Sequence, residues 1–365
     1  MGPLADAGEW PAIPRLRAVL LRWYRRNKRD LPWRDTPDPY AIWVSEAMLQ
    51  QTQVATVIPY YERFVREFPT LADLAQAPLD RVLLLWSGLG YYSRARNLHA
   101  AARQVMAEHG GQLPSDPKAL RALPGVGEYT AGAILSLAFG VRVPCVDGNV
   151  ERVLCRALEI AGDPKRQPAR RTIRAAASAL ADCRAPGEMN QALMELGATI
   201  CTPAQADCPD CPLRRRCLAK AHGTDRRLPE TSARSPQTGV RTAAALIRRE
   251  GRVLLAQRGA DGVWAGLWEF PQVAVSGGDA AAELVHYLGR ELGLVARVGP
   301  ALLEVRHGLM NQSVRMQVLD CLVVHGEPDA GSYAAVAWVP PEDIPGLALS
   351  APHRKAARQL LRERW

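Results

Sequence analysis

The sequence lacks a run that could cross a bilayer: its longest largely apolar stretch, Tyr129–Val141, has 13 residues, where a spanning helix needs about 20. It lacks the basic and then apolar opening of a secretory signal. The first residues, MGPLADAGEWP, carry acids instead, so export is not expected and a cytoplasmic setting is. There is no internal repeat and no low-complexity tract. There is also no disulfide framework to expect, because eight cysteines without a signal peptide point to metal chemistry instead.

What is present is ordinary globular material, 48% apolar and 23% charged, which rules out disorder for most of the chain. A length of 365 residues suggests two domains. Residues 1–220 hold 29 basic and 22 acidic residues, and the rest hold 17 and 15. The formal charge of +9 therefore sits mostly in the first part, which suits a polyanionic partner. The polar segment HGTDRRLPETSARSPQTGVR (222–241) shows no periodicity and reads as a linker. Domains are thus expected at 1–221 and 241–365, joined by 222–240. Before the linker, apolar residues recur at helical spacing over Ile13–Asn27, Ala41–Tyr61, Leu79–Trp86, Leu98–His109, Pro117–Leu123, Tyr129–Phe139 and Val150–Ala161. After it, strand-like runs Thr242–Arg248, Arg252–Gln257, Leu302–Arg306, Val314–Val323 and Ala334–Val339 surround a helix at Asp279–Leu292, and a second helix closes the chain. The first half reads as all-α and the second as α+β.

Three features carry chemistry. Cys201, Cys208, Cys211 and Cys217 are spaced C-x6-C-x2-C-x5-C, which can bring four thiolates to one centre. Zinc and a four-iron cluster both accept such a set, and the spacing leaves both open. Arg214, Arg215 and Arg216 lie inside the last interval and suit phosphate contact. In LPGVG (123–127), Gly125 and Gly127 permit a sharp turn between two helices, the first of which Ser115 can cap. The open N-terminus of the second helix then forms an anion seat. Glu46, in the apolar stretch IWVSEAML, should be desolvated and its pKa raised, as a general acid requires. Asp147 stands where it caps the helix that follows.

Taken in order, LPGVGEYTAGAI (123–134), VDGNVERVL (146–154) and the cysteine spacing resemble the helix-hairpin-helix DNA glycosylase superfamily, in the iron–sulfur branch that includes endonuclease III. LPWRDTPDPYAIWVSEAMLQQTQV (31–54) and GLGYYSRARNLHAAA (88–102) narrow the resemblance to MutY-type adenine glycosylases, which act on adenine opposite 8-oxoguanine. The resemblance implies an all-α catalytic domain carrying a [4Fe–4S] cluster on the four cysteines. It implies a monomer whose partner is double-stranded DNA holding A·8-oxoG or A·G mispairs, with no membrane association. Glu46 then resembles the acid that protonates adenine, and Asp147 the carboxylate that stabilises the sugar cation, with Tyr129 and Asn149 beside it. Gln51 and Tyr91 resemble residues that fill or wedge the base stack, while Arg29, Trp33 and Gln191 resemble walls of the adenine pocket. In lyase members the position of Tyr129 is a lysine, and a phenol forms no Schiff base, so little strand cleavage is expected.

The second half, through VLLAQRGADGVWAGLWEFPQ (253–272) and GRELGL (289–294), resembles a Nudix-type fold. The three slots expected to carry glutamates hold Glu291, Arg290 and Tyr287. One acid of three cannot hold the metals of pyrophosphate hydrolysis. The family's Phe-Ser-His recognition turn is replaced by Leu309, Met310 and Asn311, which leaves Asn311 and Gln312 as hydrogen-bonding candidates. The rival readings are a glycosylase for thymine or uracil mismatches, a non-catalytic lesion-binding scaffold and a nucleotide-pool hydrolase.

Overall fold

Leu16, Leu20 and Tyr24 recur four residues apart, and helix α1 (Ile13–Asn27) buries that stripe. The computed structural model describes residues 13–34, 36–231 and 236–360. Its contacts fall into two units, Met1–Ala72 with Ala100–Ala233 and Asp73–His99 with Arg234–Trp365.

Helix α2 (Pro39–Leu49) is capped by Asp38, with Pro39 just inside, and α3 (Val54–Glu67) follows it. The single helix expected over Ala41–Tyr61 is therefore two. The chain breaks at Gln51, whose φ of +56° is incompatible with a continuing helix. Next come α4 (Leu71–Gln76), α5 (Leu79–Trp86) and α6 (Ser93–Glu108). Helix α7 (Pro117–Ala122) is capped by Asp116, which accepts from Lys118 N and Ala119 N. The cap expected from Ser115 falls one residue later, at the residue directly before Pro117. Helices α8 (Glu128–Leu137) and α9 (Gly148–Ala157) match their expected spans within a few residues.

Helices α10 (Ala169–Ala181) and α11 (Pro186–Thr199) were not read from the sequence. Helix α11 buries nine of its residues around much of its circumference, which erases the one-sided pattern that periodicity detects. With α1 and α9 these two helices enclose a core of Leu16, Leu20, Leu154, Ile173, Leu193 and Leu196. Helix α12 (Leu218–His222) ends at Gly223, and the chain stays attached beyond it. Leu228 is buried, its carbonyl accepts from Arg156 Nε at 2.8 Å, and Glu230 accepts from Gly162 N. The expected linker at 222–240 is therefore shorter, because its first half is tied to the helical unit. No helix among the described residues is long and apolar enough to cross a membrane.

The second unit carries seven strands: β1 (Thr238–Arg249), β2 (Arg252–Gln257), β3 (Trp268–Glu269), β4 (Gln272–Val275), β5 (Val295–Leu309), β6 (Gln312–His325) and β7 (Ala335–Val339). Their order is β3-β2-β1-β6-β5, with β4 on β1 and β7 on β2; β1 and β6 run parallel. Alternation along β1 explains the layering. Ala244 and Leu246 face the core under α14 (Ala351–Leu360), and Ala243, Ala245 and Ile247 face α13 (Ala280–Leu292). Strand β5 begins seven residues before the expected Leu302. The Gly299-Pro300 pair that reads as a break is absorbed as an irregularity between Val298 and Ala301.

Candidate active site

A cavity of about 680 Å³ opens in the helical unit between α2, α8, α11 and the start of α9. Glu46 enters it from α2, a helix buried from Tyr40 to Met48 with the exception of Ala41. The carboxyl is 5% exposed and its Oε2 has no hydrogen-bond partner. Burial pushes its pKa up to about 7, the nearby Tyr129 hydroxyl opposes that rise, and the charge of Asp147 adds to it. The same hydroxyl lies 3.3 Å from the Met194 sulfur, so Tyr129 sits between the thioether and the acid. Asp147 is the N-cap of α9. One of its oxygens accepts from Val150 N at 2.8 Å and the other from Asn149 Nδ2 at 2.7 Å. The site therefore holds two carboxyls in different surroundings, one buried with an oxygen that meets no donor among the described residues, the other fixed by two donors. That separation suits one group to give a proton and the other to stay charged.

Asn149 is in turn braced. Its Oδ1 accepts from Arg152 Nη2 at 2.8 Å, and Gly197 of α11 lies so close that a Cβ there would meet the Asn149 Cβ at 2.6 Å. Gly197 is a residue the sequence reading passed over; its signal is the glycine inside an otherwise well-formed helix, ELGAT.

The far wall holds another residue that the sequence reading missed. Glu195 of α11 is 1% exposed and accepts from Arg29 at N, Nε and Nη2 (3.0, 2.8 and 2.9 Å) and from Arg34 Nη2 (2.5 Å). Burial alone would raise its pKa, but the Arg29 and Arg34 hydrogen bonds overcome that and hold it at about 2. Gln191 Oε1 accepts from Tyr24 Oη at 2.6 Å, which leaves the amide hydrogens of Gln191 to face the cavity. Trp33, buried edge-on to Tyr61, completes this wall. Arg29, Trp33, Gln51, Tyr129, Asp147, Asn149 and Gln191 are thus brought together around Glu46.

Other candidates stand elsewhere. Gly125 has φ +74°, as a sharp turn demands, whereas Gly127 is the N-cap of α8 in extended backbone with no capping side chain, so the helix end is open. Tyr91 belongs to the second unit, 51% exposed at φ +47°. There Arg94 Nη2 donates to the carbonyls of Leu89 and Gly90, while Ser87 and Tyr92 hydroxyls both donate to Leu349 O. Asn311 and Met310 form the two-residue hairpin between β5 and β6, with Met310 at φ +55° and 82% exposed. In the Nudix-like helix α13, Tyr287 donates to Tyr333 Oη at 2.7 Å and Arg290 pairs with Glu291, so no acid cluster forms among the three slots.

The four cysteines line one cavity with Arg156, Arg214 and Lys220. Arg156 Nη1 lies 3.4 Å from Cys201 Sγ, and Arg152 Nε donates to Cys201 O at 2.6 Å. Among the described residues no three donors converge closely enough to hold a single metal ion. Four thiols sharing one small cavity with these cations are a donor set that a four-iron cluster accepts, as a zinc ion also does. The surrounding cations offset the thiolate charge.

Comparison with known proteins agrees with this architecture. The pattern described as "HhH-GPD superfamily base excision DNA repair protein" matches residues 44–178, and that described as "NUDIX domain" matches 242–359. The human protein named "Adenine DNA glycosylase" is 41% identical over 72% of this chain and 58% of its own length, so the match spans little more than half of that relative. The rat protein of the same name is 37% identical over 95% of this chain and 78% of its own. A solved structure titled "Structure of a thermostable thymine-DNA glycosylase" is 29% identical, with a TM-score of 0.54, over 58% of this chain and 98% of that one.

Proposed function

This chain belongs to the adenine DNA glycosylase family, and from that premise we propose that it hydrolyses the N-glycosidic bond of adenine paired with 8-oxoguanine or guanine in duplex DNA. The observation that carries the reading is Glu46, a buried carboxyl whose Oε2 meets no hydrogen-bond partner among the described residues and whose pKa is raised to about 7, facing the same cavity as Asp147. The base must leave the stack to reach it. Glu46 gives its proton to a ring nitrogen of the flipped adenine, and the sugar becomes cationic as the bond lengthens. Asp147, held by Val150 N and Asn149, stabilises that charge until water adds. Tyr129 cannot trap the sugar as an imine, so the strand is left uncut. The test is alkali-revealed cleavage of duplexes holding A·8-oxoG, A·G, T·G and U·G. Thymine release would favour the thymine-glycosylase neighbour, and release of adenine alone the reading above.

Cys201, Cys208, Cys211 and Cys217 would hold a [4Fe–4S] cluster, which when bound cross-links four points of the 201–217 loop. Purified protein should then be brown, with broad absorption near about 400 nm and iron rather than zinc on elemental analysis. A colourless, zinc-loaded, active protein would refute it.

The 8-oxoguanine preference falls to the β5–β6 hairpin. Asn311→Ala should lower the rate ratio of A·8-oxoG to A·G about tenfold to a hundredfold in single turnover, one hydrogen bond's worth. An unchanged ratio would remove Asn311 from recognition. This substitution is cleaner than deleting residues 226–365, because deletion also unties Ser87 and Tyr92 from Leu349 and so disturbs the Tyr91 turn.

A further inference from the structure

Residues 165–174 hold five cations, Lys165, Arg166, Arg170, Arg171 and Arg174, the first four of them exposed. Their place is unfavourable for the helix they precede and begin. Helix α10 has Pro168 at its N-cap, with no side-chain cap and no acid in its first turn. Its N-terminal end already carries partial positive charge, so cations gathered there repel it. The remainder of the helix is built for packing, with Ile173, Ala176, Ala177 and Leu180 buried. Of the nearby acids, Glu151 faces Lys165 and Arg170. Asp163 accepts from Lys165 N, and Glu128 pairs with Arg174 and lies 4.0 Å from Arg170. Arg166 and Arg171 pair with no carboxylate among the described residues. Glu128 is the first residue of α8, directly after the Gly125–Gly127 turn. The ion pairs therefore dock this basic surface beside the open helix end that already suits a phosphate.

We propose that Lys165, Arg166 and Arg171 form a platform for the DNA backbone, lengthening the phosphate contact begun by the hairpin. The proposal rests on the DNA-processing reading and deepens it. Duplex phosphates repeat along the strand and complement these exposed cations, of which Arg166 and Arg171 pair with no carboxylate among the described residues. The platform carries no base-reading geometry, so its contribution is equal for damaged and undamaged DNA.

The test measures binding of an undamaged and an A·8-oxoG duplex between about 50 and about 200 mM salt, using full-length protein with its wild-type metal content. For K165A/R166A/R171A the slope of log K against log salt should become shallower by about 2.7, about 0.9 for each phosphate lost. Both duplexes should change alike, and single-turnover excision at saturating protein should stay at the wild-type rate. K165R/R166K/R171K should keep the wild-type slope. An unchanged slope in the alanine variant overturns the platform, and so does an equal loss in the charge-conserving variant. A protein that excises no adenine yet shows the slope change would overturn the proposed activity while leaving the platform standing.

Discussion

Glu46→Gln should slow adenine release by about three orders of magnitude, the middle of the range for a positioned general acid, while duplex affinity stays within about twofold. The amide keeps the shape of a side chain that is 5% exposed in a packed helix, so neither fold nor pocket should move. What it cannot do is give a proton. Its accompanying pH signature is specific. Because burial raises the Glu46 pKa to about 7, the acid is charged only above that value, and wild-type single-turnover rates should fall as pH rises through about 7. The variant should lack that limb. Wild-type-like turnover in Glu46→Gln, or a profile flat across neutrality in the native protein, would remove Glu46 from the mechanism.

The second large effect falls on stability. Glu195→Gln should cost about 3–5 kcal/mol, because a buried ion pair loses one partner and leaves Arg29 and Arg34 as cations without a counter-charge. The native carboxyl has its pKa lowered to about 2 from an ordinary 4.5. The unfolded chain therefore binds the proton more readily, and stability from this group is fully present above about 4.5. It is lost as pH falls through about 2, and amounts to about 3 kcal/mol. Denaturant midpoints at neutral pH and near pH 3 measure both parts. The variant should be less stable at neutrality, and should lose less than the native protein on acidification. A midpoint at neutral pH matching the native one would show that the arginines are satisfied without Glu195. Because Arg29 and Arg34 frame the base pocket, the same variant should also bind mispaired duplex less selectively.

Much of this site is legible in sequence because its signals are local. The cysteine spacing, the LPGVG turn, the cap position of Asp147 and the apolar surroundings of Glu46 all lie within a few residues of themselves. Glu195 is not legible in that way. Nothing in NQALMELG distinguishes a surface glutamate from one that anchors two arginines 166 and 161 residues earlier in the chain. Arg152 and Arg156 read as an ordinary charged face, yet both are buried against carbonyls of the cysteine loop. The break at Gln51 was hidden because LQQTQV has no glycine or proline to announce it, and the positive φ is imposed by the fold around it. In the sheet unit, β1 was legible as a short continuous apolar run, Ala243–Ile247, buried on both faces, whereas β3 spans two residues and had no pattern to show.

The second unit takes its chain from two places, 73–99 and 234 onward, and this has a consequence for the order of synthesis. On the ribosome the residues lining the catalytic cavity, the last of which is Ala198, are all made before the sheet emerges. The Tyr91 turn is also made early, but Leu349 and Arg354, which hold its flanks, lie more than 250 residues further along the chain. A nascent chain therefore has Glu46 and Asp147 in hand while the Tyr91 turn still waits for its moorings. The cavity can form first, and the flanks of the Tyr91 turn are fixed only once residues 349–354 have followed.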